Sequence, residues 1–397
     1  MKNAVIVINS GSTSLKFALY AVDGNDLAIL AEGSYTGMPQ NTHIKIKDAR
    51  AKVIEEKDFA NDSINHEKAL SLLIPKLEEL FPDLEVKYAG HRVVSGGERF
   101  MDAVKLDNEI IDYLEQLSEI EPTHQYFEVM GARALAKVFP NIIQTASFDT
   151  SFHRTMPKVA EFYAVPDEIT KHGVRHWGFH GISYAYISTQ LAKLVPQARR
   201  AIVAHLGGGA SLCAMLDNKS IDTTMQFGAI TGLVMATRSG DFPADALLYL
   251  LKKEIYTPQE LEILLSKKSG LLALSDNLSE SMQVIEDNNS EAAIYAREKF
   301  DYMLLKYLGA YTAILGGLDT LVFTAGIGEN DAKLRRRICE KLDWLGVSLD
   351  ESANSRAIGG GAAVKISASD SKIEVYVIPT NEELMIARST LEIVYNT

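Results

Sequence analysis

The sequence predicts an α/β fold in two domains with a repeated hairpin at its core. Three observations carry this prediction. Apolar, β-branched runs alternate with stretches of helical period. The chain has 397 residues, too many for one comfortable core, and 47% of them are apolar, enough for two. Residues 201–216, AIVAHLGGGASLCAML, also repeat residues 4–19, AVIVINSGSTSLKFAL, at a constant offset of 197. The ungapped match is identical at Ala4/Ala201, Gly11/Gly208, Ser14/Ser211, Leu15/Leu212 and Leu19/Leu216. Val5/Ile202 and Ile6/Val203 are close exchanges. Any two buried hairpins share small turn residues, but a fixed register over the whole stretch favours an internal duplication.

Taken in order, the elements read as follows. Val5, Ile6, Val7 and Ile8 form a β-branched strand, and Leu15, Phe17 and Leu19 recur at period two. Residues 9–14, NSGSTS, are therefore a hairpin turn rich in hydroxyls and amides, with Lys16 just beyond. Such a turn suits an anion, although a plain polar turn has the same composition. The chain continues as strands and turns to about residue 60. Residues 65–81 have a helical period that Pro75 is expected to bend or break. YAGHRVVSGGERF reads as a strand and then a glycine loop, followed by helical stretches at 107–119 and 126–138. NIIQTASFDTSFH is a strand that ends in a polar cluster. A long helix is expected at about 290–315, then a strand at 320–324 running into the small-residue loop AGIGEN, and a last helix from 382 to about 393.

Composition excludes some function classes. The net charge is −12, which argues against nucleic acid or an anionic membrane as the main partner, so anion-binding charge must be local. Cys213 and Cys339 lack paired or metal-ligand spacing, which suits a reducing cytoplasm. The first apolar run is too short for a signal peptide, and no run of about 18 apolar residues suggests a membrane span.

Five polar clusters carry chemistry. In GHRVVSGGE, Arg92 near a strand end can grip a carboxylate or phosphate with its planar fork, though most single arginines serve surface ion pairs. In SFDTSFH, Asp149 follows an apolar strand, a common functional position and a common helix cap alike. RHWGFHGIS brings His176 and His180 four apart, and seven of the nine histidines fall between residues 91 and 205. Without HExxH or cysteines in the cluster, a metal cage is not expected; Trp177 and Phe179 suggest a pocket wall instead. TRSGD places Arg238 in a turn, and TAGIGEN offers a backbone that a nucleotide can approach closely. Two phosphate-type turns, one nucleotide-type loop, two arginines, an aspartate and a histidine suit phosphoryl transfer, which needs positioning and charge neutralisation above all.

Along the whole chain these clusters resemble the acetate kinase family, with its propionate kinase relatives. The matching motifs are NSGSTSLK at 9–16, HRVV at 91–94, FDT at 148–150, GFHG at 178–181, DTTM at 222–225, TRSGD at 237–241, GIGEN at 326–330 and PTNEEL at 379–384. The resemblance implies the actin-like ATPase architecture of sugar kinases, Hsp70 and actin. It implies one domain of residues 1–150 with a returning helix at 383–397, a nucleotide-binding domain of residues 151–382, closure on ATP, and a homodimer. The implied reaction is reversible transfer between ATP and acetate, giving ADP and acetyl phosphate, with Mg²⁺. Carried over by motif, Asn9 and Glu382 serve the metal, and Arg92, Asp149, His180 and Arg238 surround the transferring group. Lys16, His205, Leu206, Gly207, Gly208, Gly209, Gly326, Ile327, Gly328, Glu329 and Asn330 serve the nucleotide. Arg92, Val94, His124, Phe179 and Ala229 would receive the acid, with Thr123 nearby.

Chemistry qualifies these roles. A carboxylate substrate is ionised at pH 7 and needs no general base. Asp149 is therefore expected to orient Arg238 or a metal-bound water, while Arg92, Arg238 and His180 screen the repulsion between two anions. The sequence departs from the family pattern in four places. It has EPTHQY at 121–126 for APLHNP, HLGGG at 205–209 for HLGNG, GAITGL at 228–233 for TPLEGL, and Glu280-Ser281-Met282 where an aspartate and an arginine are usual. The first and third changes shorten walls of the acid pocket, so propionate is expected to be used comparatively well. The second and fourth touch the nucleotide site, and Met282 donates no hydrogen bond, so discrimination between ATP and GTP is expected to be weak. The competing reading is a nucleotide-driven conformational ATPase of the same architecture, which would need no arginine pair for a small acid.

Overall fold

The polar turn at residues 9–14 joins two antiparallel strands in the computed structural model, which describes residues 2–59, 62–119 and 124–396. The chain forms two units, Met1–Ser151 with Asn381–Thr397, and Phe152–Thr380. In the first unit the described strands are β1 (Lys2–Ser10), β2 (Ser14–Asp23), β3 (Asp26–Thr36), β4 (Thr42–Asp48), β5 (Val53–Phe59), β6 (Leu84–Val93), β7 (Val104–Lys105) and β8 (Ile143–Phe148). They form one sheet in the order β5-β4-β3-β2-β1-β6-β8-β7. β1 runs antiparallel to β2 and parallel to β6, and β6 is parallel to β8. The inward-facing Ile6, Ile8, Leu15, Phe17 and Leu19 pack with the helix His66–Leu80 into one apolar core.

That helix runs through Pro75, contrary to the break expected from the sequence. A proline removes one hydrogen bond, but this helix buries Ala69, Leu70, Leu73, Ile74 and Leu77, and Asn65 caps it by accepting from the Lys68 amide at 2.9 Å. Tertiary packing of an apolar face outweighs the local penalty. The last helix, Glu382–Asn396, lies on the same sheet. A Cβ on Gly90 of β6 would fall 2.5 Å from Thr390 Oγ1 and 2.6 Å from Ile386, so glycine is what lets this helix approach. Thr145 of β8 and Thr390 share a hydrogen bond of 2.7 Å across the contact.

The second unit repeats the arrangement. β9 (Arg200–Leu206), β10 (Ala210–Leu216), β11 (Lys219–Thr223), β12 (Thr320–Thr324), β13 (Val364–Lys365) and β14 (Glu374–Val377) form a sheet in the order β11-β10-β9-β12-β14-β13. In both units an antiparallel run, of five strands in the first and three in the second, is followed by two parallel neighbours and a short antiparallel edge strand. The duplication is therefore one of topology. The ungapped register does not survive: Ala4 pairs with Ala21, but its counterpart Ala201 pairs with Met215 instead of Asn218, so the second hairpin closes over three fewer residues between equivalent positions. The segment AGIGEN, expected as a loop, is a short helix, Ala325–Asn330, opening directly from β12. Among the described residues no helix is long and apolar enough to cross a membrane.

Candidate active site

In the first unit, Arg92 stands near the end of β6 and Asp149 just after β8. Parallel pairing of those strands brings the two together. Arg92 Nε and Nη2 both donate to Asp149 Oδ2, at 2.9 and 2.7 Å, and Nη1 lies 3.9 Å from Glu382 Oε2. Burial works against the guanidinium charge, but Asp149, Glu382 and Glu128 outweigh it and raise its pKa. The loop after Arg92 is clamped from the helix Gln125–Val138. Glu128 Oε2 accepts from the Val94 amide at 2.8 Å, and Gln125 Oε1 accepts from the Ser95 amide at 2.9 Å. Beside this cluster, burial first and Glu382 after it push the Glu383 carboxyl up, with Arg92 and Lys16 opposing. Lys16 is exposed on β2 opposite Asn9 on β1.

In the second unit, His180 begins the helix Gly181–Leu194 with φ of 59°, a left-handed conformation that costs energy for a residue with a side chain. Its ring stacks on His205 at 4.1 Å, and its Nδ1 meets Ser211 Oγ at 2.8 Å. Arg238 Nη1 donates to the Ala229 carbonyl at 2.9 Å. The turn that carries Arg238 rests on Gly270, where φ is +65° and a Cβ would fall 2.2 Å from the Met235 carbonyl oxygen. No side chain fits there. His180 and Arg238 converge over Gly209: a Cβ on that glycine would lie 3.1 Å from His180 Nε2 and 3.7 Å from Arg238 Nη1.

The same glycine segment borders a cleft of about 670 Å³. Gly207 and Gly208 line it on one side, Gly326, Ile327 and Asn330 on another, and Glu280, Ser281, Met282 and Gln283 on a third. Met282 is 2% exposed, so it closes the wall and offers little surface. Asp287 and Lys333, also on the lining, pair at 3.1 Å. The short helix is held from below. Glu329 Oε1 accepts from the Ala325 and Thr380 amides at 2.8 and 3.1 Å, and Asn330 Oδ1 accepts from the Gly359 amide at 2.8 Å. Gly328 turns its carbonyl to the buried Arg335, which donates at 2.9 Å.

The structure thus brings together, within the first unit, Arg92, Asp149 and Glu382, and within the second, His180, His205, Gly209 and Arg238. Val94 and Phe179 are buried, Ala229 is half-buried, and His124 is exposed at the start of its helix. Thr123 lies outside the described residues. Leu206 is buried at the end of β9. Three of the clustered histidines have structural partners. His153 meets Ser220 Oγ and the Phe179 carbonyl, at 2.8 and 2.9 Å. His176 meets the Ala160 and Met225 carbonyls, and His91 meets Gln144. Sequence reasoning missed Gln125, Glu128, Ser211, Gly270, Arg335 and Glu383. The one usable signal was polar Gln125 and Glu128 on the stripe that also carries buried Val129 and Ala132.

The model of the acetokinase family matches residues 4–388. An acetate kinase of Rhodopseudomonas palustris (strain TIE-1) is 42% identical over 393 residues, covering 98% of each protein. Among solved structures, the acetate kinase of Porphyromonas gingivalis superposes with a TM-score of 0.88 at 34% identity, covering 99% of this chain and 100% of that one. A propionate kinase from Francisella tularensis superposes with a TM-score of 0.89 at 34% identity, covering 98% and 99%.

Proposed function

The chain belongs to the acetokinase family, and from that membership and the site's geometry we propose that it moves the γ-phosphoryl group of ATP reversibly to acetate, giving ADP and acetyl phosphate. It is an enzyme of the acetate kinase type with an actin-like fold. The observation that carries the reading is the glycine segment 207–209. Its first two residues line a cleft of nucleotide size, and its third lies under His180 Nε2 and Arg238. A nucleotide in that cleft would direct its phosphates toward the two donors.

Arg92, Asp149, His180 and Arg238 would act as follows. Arg92, its fork set by Asp149, grips the carboxylate. Arg238 and His180 donate to the equatorial oxygens of the transferring group as it loosens from ADP. Acetate is already ionised, so no side chain has to remove a proton. Asp149 thereby serves by orienting Arg92. Beside Arg92, Val94 would offer the acid an apolar contact, and Phe179 and Ala229 keep the role that the resemblance implies. Lys16 would serve the polyphosphate.

The residues present fit a magnesium ion in kind. Asn9 and Glu382 are hard oxygen donors, and Mg²⁺ is usually held by one or two carboxylates, water and substrate phosphates. When bound, the ion neutralises charge on the phosphates. The homodimer implied by the resemblance has a candidate face on the second unit. The helix Ala244–Lys252 buries none of its residues, and Leu248 and Tyr249 on it are exposed, as are Phe242, Ile255 and Ile263 in the flanking sequence. A chain that consumes ATP and carries two buried free thiols, Cys213 and Cys339, suits the cytoplasm.

Hydroxylamine trapping tests the reading. Acyl hydroxamate should form only with both ATP and a short acid present. Acetate should react, and propionate should follow within about tenfold, the low end of the roughly 10–200-fold that one methylene is worth in an apolar pocket, because the shortened side chains leave it room. The same assay with GTP measures how weakly the base is read. ATP hydrolysis without any acid-dependent product would instead favour the conformational ATPase.

A further inference from the structure

We propose that His66 is a positioning residue for the polar turn 9–14: by holding the Gly11 carbonyl it turns the Gly11–Ser12 peptide so that donors, not carbonyls, meet the polyphosphate of the nucleotide. The inference rests on the reading of this turn, with Lys16 beside it, as the part of the first unit that receives phosphate. It starts from a contact between residues far apart in sequence. His66 Nε2 lies 2.9 Å from the Gly11 carbonyl oxygen. A carbonyl oxygen can only accept, so the ring donates from Nε2, in its neutral or its charged form. His66 is the first residue of the helix His66–Leu80, which Asn65 caps and which buries five apolar residues. The turn is thus tied to a helix that is itself fixed in the core.

The orientation follows from the planar peptide. In a trans peptide the N–H points opposite to the C=O, so a Gly11 carbonyl fixed on His66 turns the Ser12 amide away from the ring. A flipped peptide would offer an anion the negative end of that dipole instead. The turn's other carbonyls are spent in the same way. The Met38 amide donates to the Thr13 carbonyl at 3.0 Å, and the Gly11 amide donates to the Ser14 carbonyl at 2.8 Å. Those two holds are made by backbone, whereas the hold on Gly11 is made by a side chain. Ser12 and Thr13 are exposed at the tip, and the strands leaving it carry Asn9 and Lys16 opposite each other. Hydroxyls, an outward amide and a lysine together suit an oxyanion.

The ring is itself held. It stacks on Phe127 of the helix Gln125–Val138, with ring centroids 6.2 Å apart. That helix also presses on the end of β1, where a Cβ on Gly131 would fall 2.3 Å from Ser10 Oγ. Its first turn clamps the loop after Arg92 through Gln125 and Glu128. One helix therefore fixes both the polyphosphate turn and the loop beside the arginine that takes the acid. A turn braced in this way presents its donors without reorganising when the ligand arrives.

The test is calorimetric binding of ATP and of adenosine, with Mg²⁺ present, to the full-length wild type, His66→Phe and His66→Gln. Phenylalanine keeps a ring against Phe127 and removes the donor, whereas glutamine keeps an N–H donor at similar reach. His66→Phe should weaken ATP binding by about tenfold or more and leave adenosine within about twofold, because adenosine carries no phosphate. His66→Gln should recover most of the affinity for ATP. His66→Phe binding ATP within about threefold of wild type would overturn the proposal. So would a loss shared equally by adenosine, or a His66→Gln protein that binds ATP no more tightly than His66→Phe. Because binding is read and not turnover, a wild type that binds ATP but forms no acyl hydroxamate would refute the functional reading, while the contrast between ATP and adenosine would still decide the role of His66.

Discussion

One added carbon atom at Gly209 tests where the phosphoryl group lies. The backbone of Gly209 is outside the left-handed region, so alanine can adopt it and should stabilise the fold by up to about 1 kcal/mol through the unfolded chain. The new methyl would stand 3.1 Å from His180 Nε2 and 3.7 Å from Arg238 Nη1. The first distance is tighter than ordinary contact, so the ring must yield or the methyl must occupy the space between the two donors. The ring is poorly placed to yield, held by Ser211 at 2.8 Å and by His205 stacked at 4.1 Å. Losing one preorganised donor to a transition state costs about 3 kcal/mol, or roughly a hundredfold in rate. Gly209→Ala should therefore lower kcat by about a hundredfold or more without lowering Tm. Gly208→Ala is the control: a Cβ there meets nothing within 4 Å, and the residue lines the nucleotide cleft. It should keep kcat and raise KM for ATP. Hydroxamate kinetics and thermal unfolding on both variants decide the matter. Gly209→Ala turning over within about threefold of wild type would show that the reacting group does not pass between His180 and Arg238.

Three further outcomes are expected. Arg238→Ala should lower kcat by about a hundredfold with a smaller change in KM for ATP, and Arg238→Lys should recover it only in part, since lysine lacks the planar fork; near-normal turnover in steady-state kinetics would remove Arg238 from the site. Ala325 holds φ of 64°, so Ala325→Gly should relieve about 1 kcal/mol and raise Tm by about 2–4 °C in a scan, whereas a fall in Tm would show that its methyl is needed in packing. Burial lowers the pKa of His153 to about 3 and of His91 to about 4, so both are neutral when folded and take up protons below about pH 6.5 when unfolded. Their contribution is complete above that pH and fades as pH falls toward those values, at about 1.4 kcal/mol per pH unit for each; a urea midpoint unchanged between pH 7 and pH 5 would contradict it.

The fold was legible where hydrophobic period and length agree. The hairpin β1–β2, the strand into AGIGEN and the long helix Glu291–Leu315 all follow from such patterns. The failures have physical causes. Pro75 is a strong local signal, yet a helix with five buried apolar residues on one face keeps its course. AGIGEN looks like a loop because glycine is a poor helix former. Its first turn is instead fastened by Glu329 to the Ala325 amide, a contact that composition cannot announce. The ungapped repeat misled in register but not in kind. Strand-turn-strand units can keep their place in a sheet while the hairpin closes over fewer residues, and identities in the second strand then fall out of structural step.

The candidate site was legible only for residues that contrast with their surroundings. Arg92, Asp149, His180 and Arg238 stand beside glycines and strand ends, where a polar side chain is conspicuous. The residues that hold them do not stand out. Arg335, Arg336 and Arg337 are three identical letters in a row, and nothing in the text separates them. In the fold, Arg336 pairs with Glu351, and Arg337 with Asp301 and Glu286, as charged side chains usually do. Arg335 is 0% exposed and spends its guanidinium on the Gly328, Asn354 and Ala357 carbonyls and the Asn354 side chain. Those bonds fasten the helix under Gly326 and Ile327 to the segment near residue 357. Leaving such carbonyls without partners would cost about 1–3 kcal/mol apiece. Positioning is therefore paired with burial. A residue that orients a ligand-binding backbone must itself be fixed, and being fixed in a core means that its neighbours in space, not in sequence, define it.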